Sequence, residues 1–128
     1  MVIDDPETLA ALAEEADRYE AALMANDVDA LDDFFWNSER SVRFGVGENL
    51  YGFAEIAAFR QARPGGSPQR SRIRTSITSF GRDFGVVNVE FQREGATAIG
   101  RQSQTWVRFP DVGWKIVSAH VSLMGGSH

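Results

Sequence analysis

From Gln69 onward, apolar and polar residues alternate with a period of two, broken only at Gly81-Arg82-Asp83, Glu94-Gly95 and Pro110-Asp111-Val112-Gly113. This part of the chain can therefore only become antiparallel strands, at about Arg70–Phe80, Phe84–Arg93, Ala96–Phe109 and Trp114–Met124. Two of these exceed ordinary strand length, which predicts strong curvature. Before Gln69 the period is helical. Asp5 and Pro6 suit a cap and a first helical position, and Leu9, Leu12, Ala16, Tyr19 and Leu23 follow at steps of three and four. A second helix is predicted after the cap residue Asp27, with Val28, Leu31, Phe34 and Phe35 inward. Two glycine-punctuated short strands and a third helix fill Ser41–Pro64, and Pro64-Gly65-Gly66-Ser67-Pro68 ends that helix. The order ααββαββββ is an α+β plan with helices on one side of a bent antiparallel sheet.

A chain of 128 residues with 43% hydrophobic content is expected to form one soluble domain over residues 1–124, with 125–128 reading as a linker and tag remnant. No apolar run approaches the length of a membrane span, and the acidic N-terminus does not resemble a signal peptide, so a cytoplasmic protein is expected. With no cysteine and two histidines, no metal centre or disulfide framework is expected. The net charge of −5 argues against a nucleic-acid partner. Arg70, Arg72 and Arg74 fall at period two and read as one exposed face guarding a sheet edge, rather than as a phosphate contact.

Familiar catalytic motifs are absent, so the signal must come from polar groups at apolar positions. Tyr19 lies on the core seam of the first helix, either as a rim tyrosine with its hydroxyl in water or as a functional phenol. In the stretch SVRFGVGENLYGFAEIAAFRQARP, Arg43 falls opposite Val42 and Phe44, and Arg60 lies one turn past Ile56. Each guanidinium stays charged and needs an anion, which is an internal carboxylate or a ligand. For Arg43 the internal candidates are Glu48 or a second-helix aspartate, and for Arg60 Glu55 or solvent; Arg63 reads as an exposed helix-end charge. Gln102, Gln104 and Trp106 share one strand face, either as a small-molecule wall or as a dimer contact. His120 is placed by alternation beside Trp114, Ile116, Ser118 and Ser122, as a structural residue.

The element order, with DRYEAAL, DVDALDDFFW and WKIVSAHVS, resembles the nuclear-transport-factor-two-like or SnoaL-like cone fold, a cystatin-like roll with helices on the concave side of the sheet. Within that superfamily, RFGVGENLYGFAEIAAFRQARP, GRDF and GRQSQTWVRFP resemble the AtzH-like family of cyanuric acid and oxalurate catabolism. That resemblance implies a cofactor-independent, decarboxylating amidohydrolase of nitrogen metabolism, with 1,3-dicarboxyurea converted to allophanate as the family's proposed reaction. Its proposed tyrosine and arginine fall on Tyr19 and Arg43. In the more distant ketosteroid isomerases, Tyr19 aligns with an oxyanion-binding tyrosine and Arg43 with the aspartate base, while Arg60 and Gln102 take supporting positions. An arginine cannot accept a proton near neutral pH, so isomerase chemistry of that type is excluded.

The expected site therefore has Tyr19 and Arg43 as catalytic residues, with Arg60, Gln102 and Trp106 binding a small anionic ureide without metal or organic cofactor. The resemblance also implies a homodimer formed through the outer sheet face. The alternative is a non-catalytic small-acid-binding or accessory subunit associated with an amidase partner, since the fold hosts both classes.

Overall fold

The computed structural model describes residues 1–125; the rest of the predicted tail, 126–128, lies outside the described residues. The elements are α1 (Pro6–Ala25), α2 (Val28–Asp33), β1 (Val42–Phe44), β2 (Asn49–Tyr51), α3 (Phe53–Ala62), β3 (Arg70–Phe80), β4 (Phe84–Arg93), β5 (Ile99–Phe109) and β6 (Gly113–Leu123). They form the expected α+β roll around one open six-stranded sheet of order β2-β1-β6-β5-β4-β3. Neighbouring strands pair antiparallel except β1 and β6, which run parallel. Among the described residues, no helix is long and apolar enough to cross a membrane.

Asp5 caps α1 by accepting from the Thr8 amide at 3.2 Å and the Thr8 hydroxyl at 2.7 Å. These two bonds, the hydroxyl's first, hold the Asp5 carboxyl below its ordinary pKa. The buried seam of α1, Leu12, Ala16, Tyr19 and Leu23, packs on the inward sheet face with Phe34, Trp106 and Phe91. The backbone after α2 adds to β6: Trp36 N donates to Ile116 O at 3.0 Å and Ile116 N to Phe34 O at 2.8 Å.

Two bulges bend the long strands and change which residues face the helices. In β3, Arg72 pairs with Phe91 and Arg74 with Glu90, so Ile73 is the extra residue. In β6, Ser118 pairs with Thr105 and Ile116 with Trp106, so Val117 is extra. The second bulge corrects the simple alternation for His120. Ile116 is buried inward, whereas His120 lies exposed on the outer face, edge-on to Phe44 at 5.7 Å.

Gly100 is where the sheet face needs the absence of a side chain, because a Cβ there would overlap the Phe91 ring. Gly100→Ala is expected to cost about 1–3 kcal/mol by overpacking; an unchanged urea midpoint would contradict this packing. The cap adds a pH dependence. Because the folded pKa of Asp5 is depressed, its contribution is complete above the unfolded value of about 3.9 and is lost as pH falls through the folded one. The drop in melting temperature caused by Asp5→Ala at neutral pH should therefore shrink in acid, as thermal scans across that range would register.

Candidate functional site

Tyr19 projects from α1 into a cavity of about 90 Å³ enclosed by β1, the β1–β2 turn, α3, the loop that follows it, and the ends of β3 and β4. A single water centre requires roughly 10–15 Å³, so this space suits a small molecule of a few heavy atoms. The Tyr19 ring is buried edge-to-face against Phe34 at 5.5 Å, and among the described residues its hydroxyl has no protein hydrogen-bond partner. Five arginines line the same cavity: Arg43, Arg60, Arg63, Arg70 and Arg93.

Three of them are held by carboxylates. Arg43 donates from Nη1 to Glu48 Oε1 at 3.2 Å. Glu48 reaches it by folding over Gly45, where a Cβ would collide with the carboxylate, and it also accepts from the Gly47 amide at 3.2 Å. Arg60, on α3, pairs through Nε with Asp32 of α2 at 3.2 Å, in place of the expected Glu55. Glu55 instead accepts from the Tyr51 amide at 2.9 Å. Burial raises the Asp32 pKa, and Arg60 offsets only part of that cost. Arg70 makes a two-pronged pair with Glu20 of α1, at 3.0 Å from Nε and 2.7 Å from Nη2, with its side chain 5% exposed.

Aromatic rings support the guanidinium groups from below. Phe59 carries Arg43 at 5.6 Å and Arg63 at 5.7 Å, Phe35 carries Arg60 at 5.6 Å, and Phe91 carries Arg70 at 4.3 Å and Arg93 at 5.8 Å. Gly100 leaves room for the Phe91 ring and so sets the floor under two arginines.

Of the residues predicted for the site, Tyr19, Arg43, Arg60 and Gln102 converge on the cavity. Trp106 does not. It shares the inward face with Gln102 as expected, but it is fully buried farther along β5, donating from Nε1 to Gln104 Oε1 at 3.1 Å and packing edge-on against Phe34 at 6.0 Å. It thus supports the ring that supports Tyr19 and does not line the cavity.

Arg63, Arg70, Arg93 and Glu48 complete the charged lining, which the sequence pattern does not assign to them. Arg63, expected to be exposed, is half-buried, with Nη1 donating to Ser67 Oγ at 3.2 Å. Its signal was Pro64: a residue before proline is driven out of helical conformation, and Arg63 is extended at φ −73°, ψ 115°. Burial foremost, then the charges of Arg43 and Arg93, hold its pKa below the ordinary value. Arg70 was grouped with Arg72 and Arg74 as one exposed face, which the Ile73 bulge divides. Arg70 and Arg72 turn to the acids of α1, Arg72 reaching Asp17 at 2.9 Å, while Arg74 stays outside opposite Glu90. Among the described residues no group of three or more His, Asp or Glu side chains is placed to hold a metal ion.

This geometry sits on a chain whose sequence matches the AtzH-like family model over residues 1–127. The chain is a member of the AtzH-like family. It is 51% identical to a DUF3225-family protein from Pectobacterium atrosepticum SCRI1043, covering 96% of this chain and 95% of that one at a TM-score of 0.92. It is 39% identical to a cystatin-like fold protein from Burkholderia xenovorans LB400, covering 99% of both at a TM-score of 0.94. An NTF2-like superfamily protein from Salmonella enterica serovar Typhimurium LT2 shares the fold at 20% identity, a TM-score of 0.74 and coverage of 95% and 94%. Among curated proteins, none matches the sequence.

The Arg70–Glu20 pair gives a direct test of how the AtzH-like cavity is held. Glu20→Ala leaves a buried guanidinium unpaired and is expected to cost about 3 kcal/mol. Equilibrium unfolding measures it, and a loss under about 0.5 kcal/mol would class the pair with ordinary surface bridges.

Proposed function

We propose that this AtzH-like protein, of the two activities amidohydrolase and decarboxylase, acts as a cofactor-independent decarboxylase of a small N-carboxylated urea. The observation that supports this most is the convergence of the Tyr19 phenol and the Arg43 guanidinium on one small, arginine-lined cavity. Arg43 spends one Nη1 hydrogen on Glu48 and keeps further donors of its planar fork for a substrate carboxylate. The amide of Gln102, 5% exposed on β5, offers both a donor and an acceptor to the flat urea group. Leu23 and Val121 close part of the wall with apolar surface, which strengthens the electrostatic contacts inside.

The reaction needs one proton. The C–N bond of the N-carboxylate breaks, its electron pair stays on nitrogen, carbon dioxide departs, and the Tyr19 hydroxyl protonates the nitrogen before being reprotonated from water. Glu48 is the only carboxylate in the described lining, and it is engaged by Arg43 and the Gly47 amide. Held in those two contacts, it is not free to activate a water, which favours direct decarboxylation over hydrolytic attack.

Tyr19→Phe is expected to lower turnover of a freshly prepared N-carboxylated urea by at least about a hundredfold, the usual range for a positioned acid, with the melting temperature unchanged. Arg43→Lys should weaken both binding and turnover, because a point charge cannot reproduce the fork. Carbon dioxide release and residual substrate, followed together, provide the measurement; wild-type rates in both variants would overturn the assignment.

A further inference from the structure

Three carboxylates answer the cavity arginines, but from different sides. Asp32 and Glu20 reach Arg60 and Arg70 from α2 and α1, and neither belongs to the described cavity lining. Glu48 does, so it holds Arg43 from within the space that a ligand would fill. Its hold is also slighter. Arg70 is gripped by two bonds, at 3.0 and 2.7 Å, whereas Arg43 makes one, at 3.2 Å, and the other Glu48 oxygen rests on the neighbouring Gly47 amide. The Glu48 side chain is 24% exposed, next to the exposed Val46 that lines the same cavity, and water on that side weakens the pair. Its backbone is fixed separately. The Glu48 carbonyl accepts from the Gly45 amide at 2.9 Å, so the side chain can leave without undoing the turn. Glu48 also serves a second cation, since its charge raises the Arg63 pKa against the burial and the arginine charges that lower it. The carboxylate thus lies where two guanidinium groups call for an anion.

We propose that the Glu48 carboxylate is a displaceable internal anion, which holds the position of a ligand's carboxylate on Arg43 and swings out to solvent when such a carboxylate arrives. Glu48 is thereby a specificity-determining residue. A neutral molecule offers Arg43 less than Glu48 already supplies and cannot open the position, and an anion binds only by its margin over an internal rival. In return, the pair spares the fold a mostly buried, unpaired guanidinium. Displacement rests on the cavity's taking a small carboxylate, as in the function proposed above, and not on the reaction that follows.

Acetate and neutral acetamide are the probes, titrated calorimetrically at constant ionic strength into wild type, Glu48→Gln and Gly45→Ala. Glu48→Gln removes the rival charge at nearly constant shape and is expected to bind acetate at least about tenfold more tightly than wild type, with acetamide changed by less than about threefold. Gly45→Ala tests displacement apart from charge. Its Cβ overlaps the Glu48 carboxylate and pushes that flexible side chain off Arg43 at the same net charge, so acetate should again bind at least about threefold more tightly. Gly45 is not among the glycines with positive φ, so alanine can adopt its backbone. In wild type, acetate should shift the Gly47 amide proton in NMR spectra as its bond to Glu48 is lost, and Gly45→Ala should show that shift before acetate is added. Without acetate, Glu48→Gln should melt below wild type, and acetate should raise its melting temperature by more. An acetate affinity of Glu48→Gln within about threefold of wild type, or no acetate binding by any of the three proteins, would overturn displacement. A tighter Glu48→Gln beside an unchanged Gly45→Ala and an unmoved Gly47 amide would overturn it too, because charge would then act without any exchange of anions. If acetate follows the expected pattern but no N-carboxylated urea is turned over, the reaction falls and displacement stands. If Tyr19→Phe silences turnover while acetate ignores both substitutions, the reaction stands and displacement falls.

Discussion

A guanidinium cannot shed its charge near neutral pH, and five of them line a cavity of about 90 Å³. Much of the surrounding structure is an answer to that constraint. Carboxylates come from three separate elements, α1, α2 and the β1–β2 turn, so the cavity charge ties α1 to β3, α2 to α3 and the turn to β1. Three phenylalanine rings lie beneath the same groups, and a cation over an aromatic face is worth about 0.5–1 kcal/mol at exposed sites and more when dried. These rings also fix the directions of the guanidinium planes. Without that packing, long side chains of like charge would spread into solvent and the cavity would lose its field.

The placement depends on local departures from regular structure rather than on the roll itself. One extra residue at Ile73 turns Arg70 toward α1 and leaves Arg74 outside. Pro64 draws Arg63 off the helix, and Gly100 lets the Phe91 ring lie flat enough to serve two arginines. The Salmonella NTF2-like protein, at 20% identity, shares the fold, which leaves the chemistry to these side chains.

Periodicity recovered the elements and the inward seam of α1, and hence Tyr19, because a strand or helix period reports which face a residue occupies. It does not report depth. Gln102 and Trp106 share a face, yet one lines the cavity and the other is buried beyond Phe34, which no alternation pattern distinguishes. Nor does periodicity survive a bulge: His120 and Arg70 were both misplaced by strands that carry one unpaired residue. The partner of Arg60 was unreadable for another reason, since Asp32 lies 28 residues away and meets it only through the packing of α2 on α3. The proline after Arg63, in contrast, was present in the sequence and carried the information.

For the decarboxylation proposed above, the uneven pairing of the arginines has a consequence. Decarboxylation destroys a negative charge, so an arginine that bound the departing carboxylate too strongly would stabilise the ground state more than the transition state and slow the step. Arg43 already shares its charge with Glu48, and a substrate carboxylate arriving there gains only the difference between two ion pairs. The reacting end is thereby held by a cation whose grip is already divided, which lets binding coexist with loss of carbon dioxide in the proposed reaction.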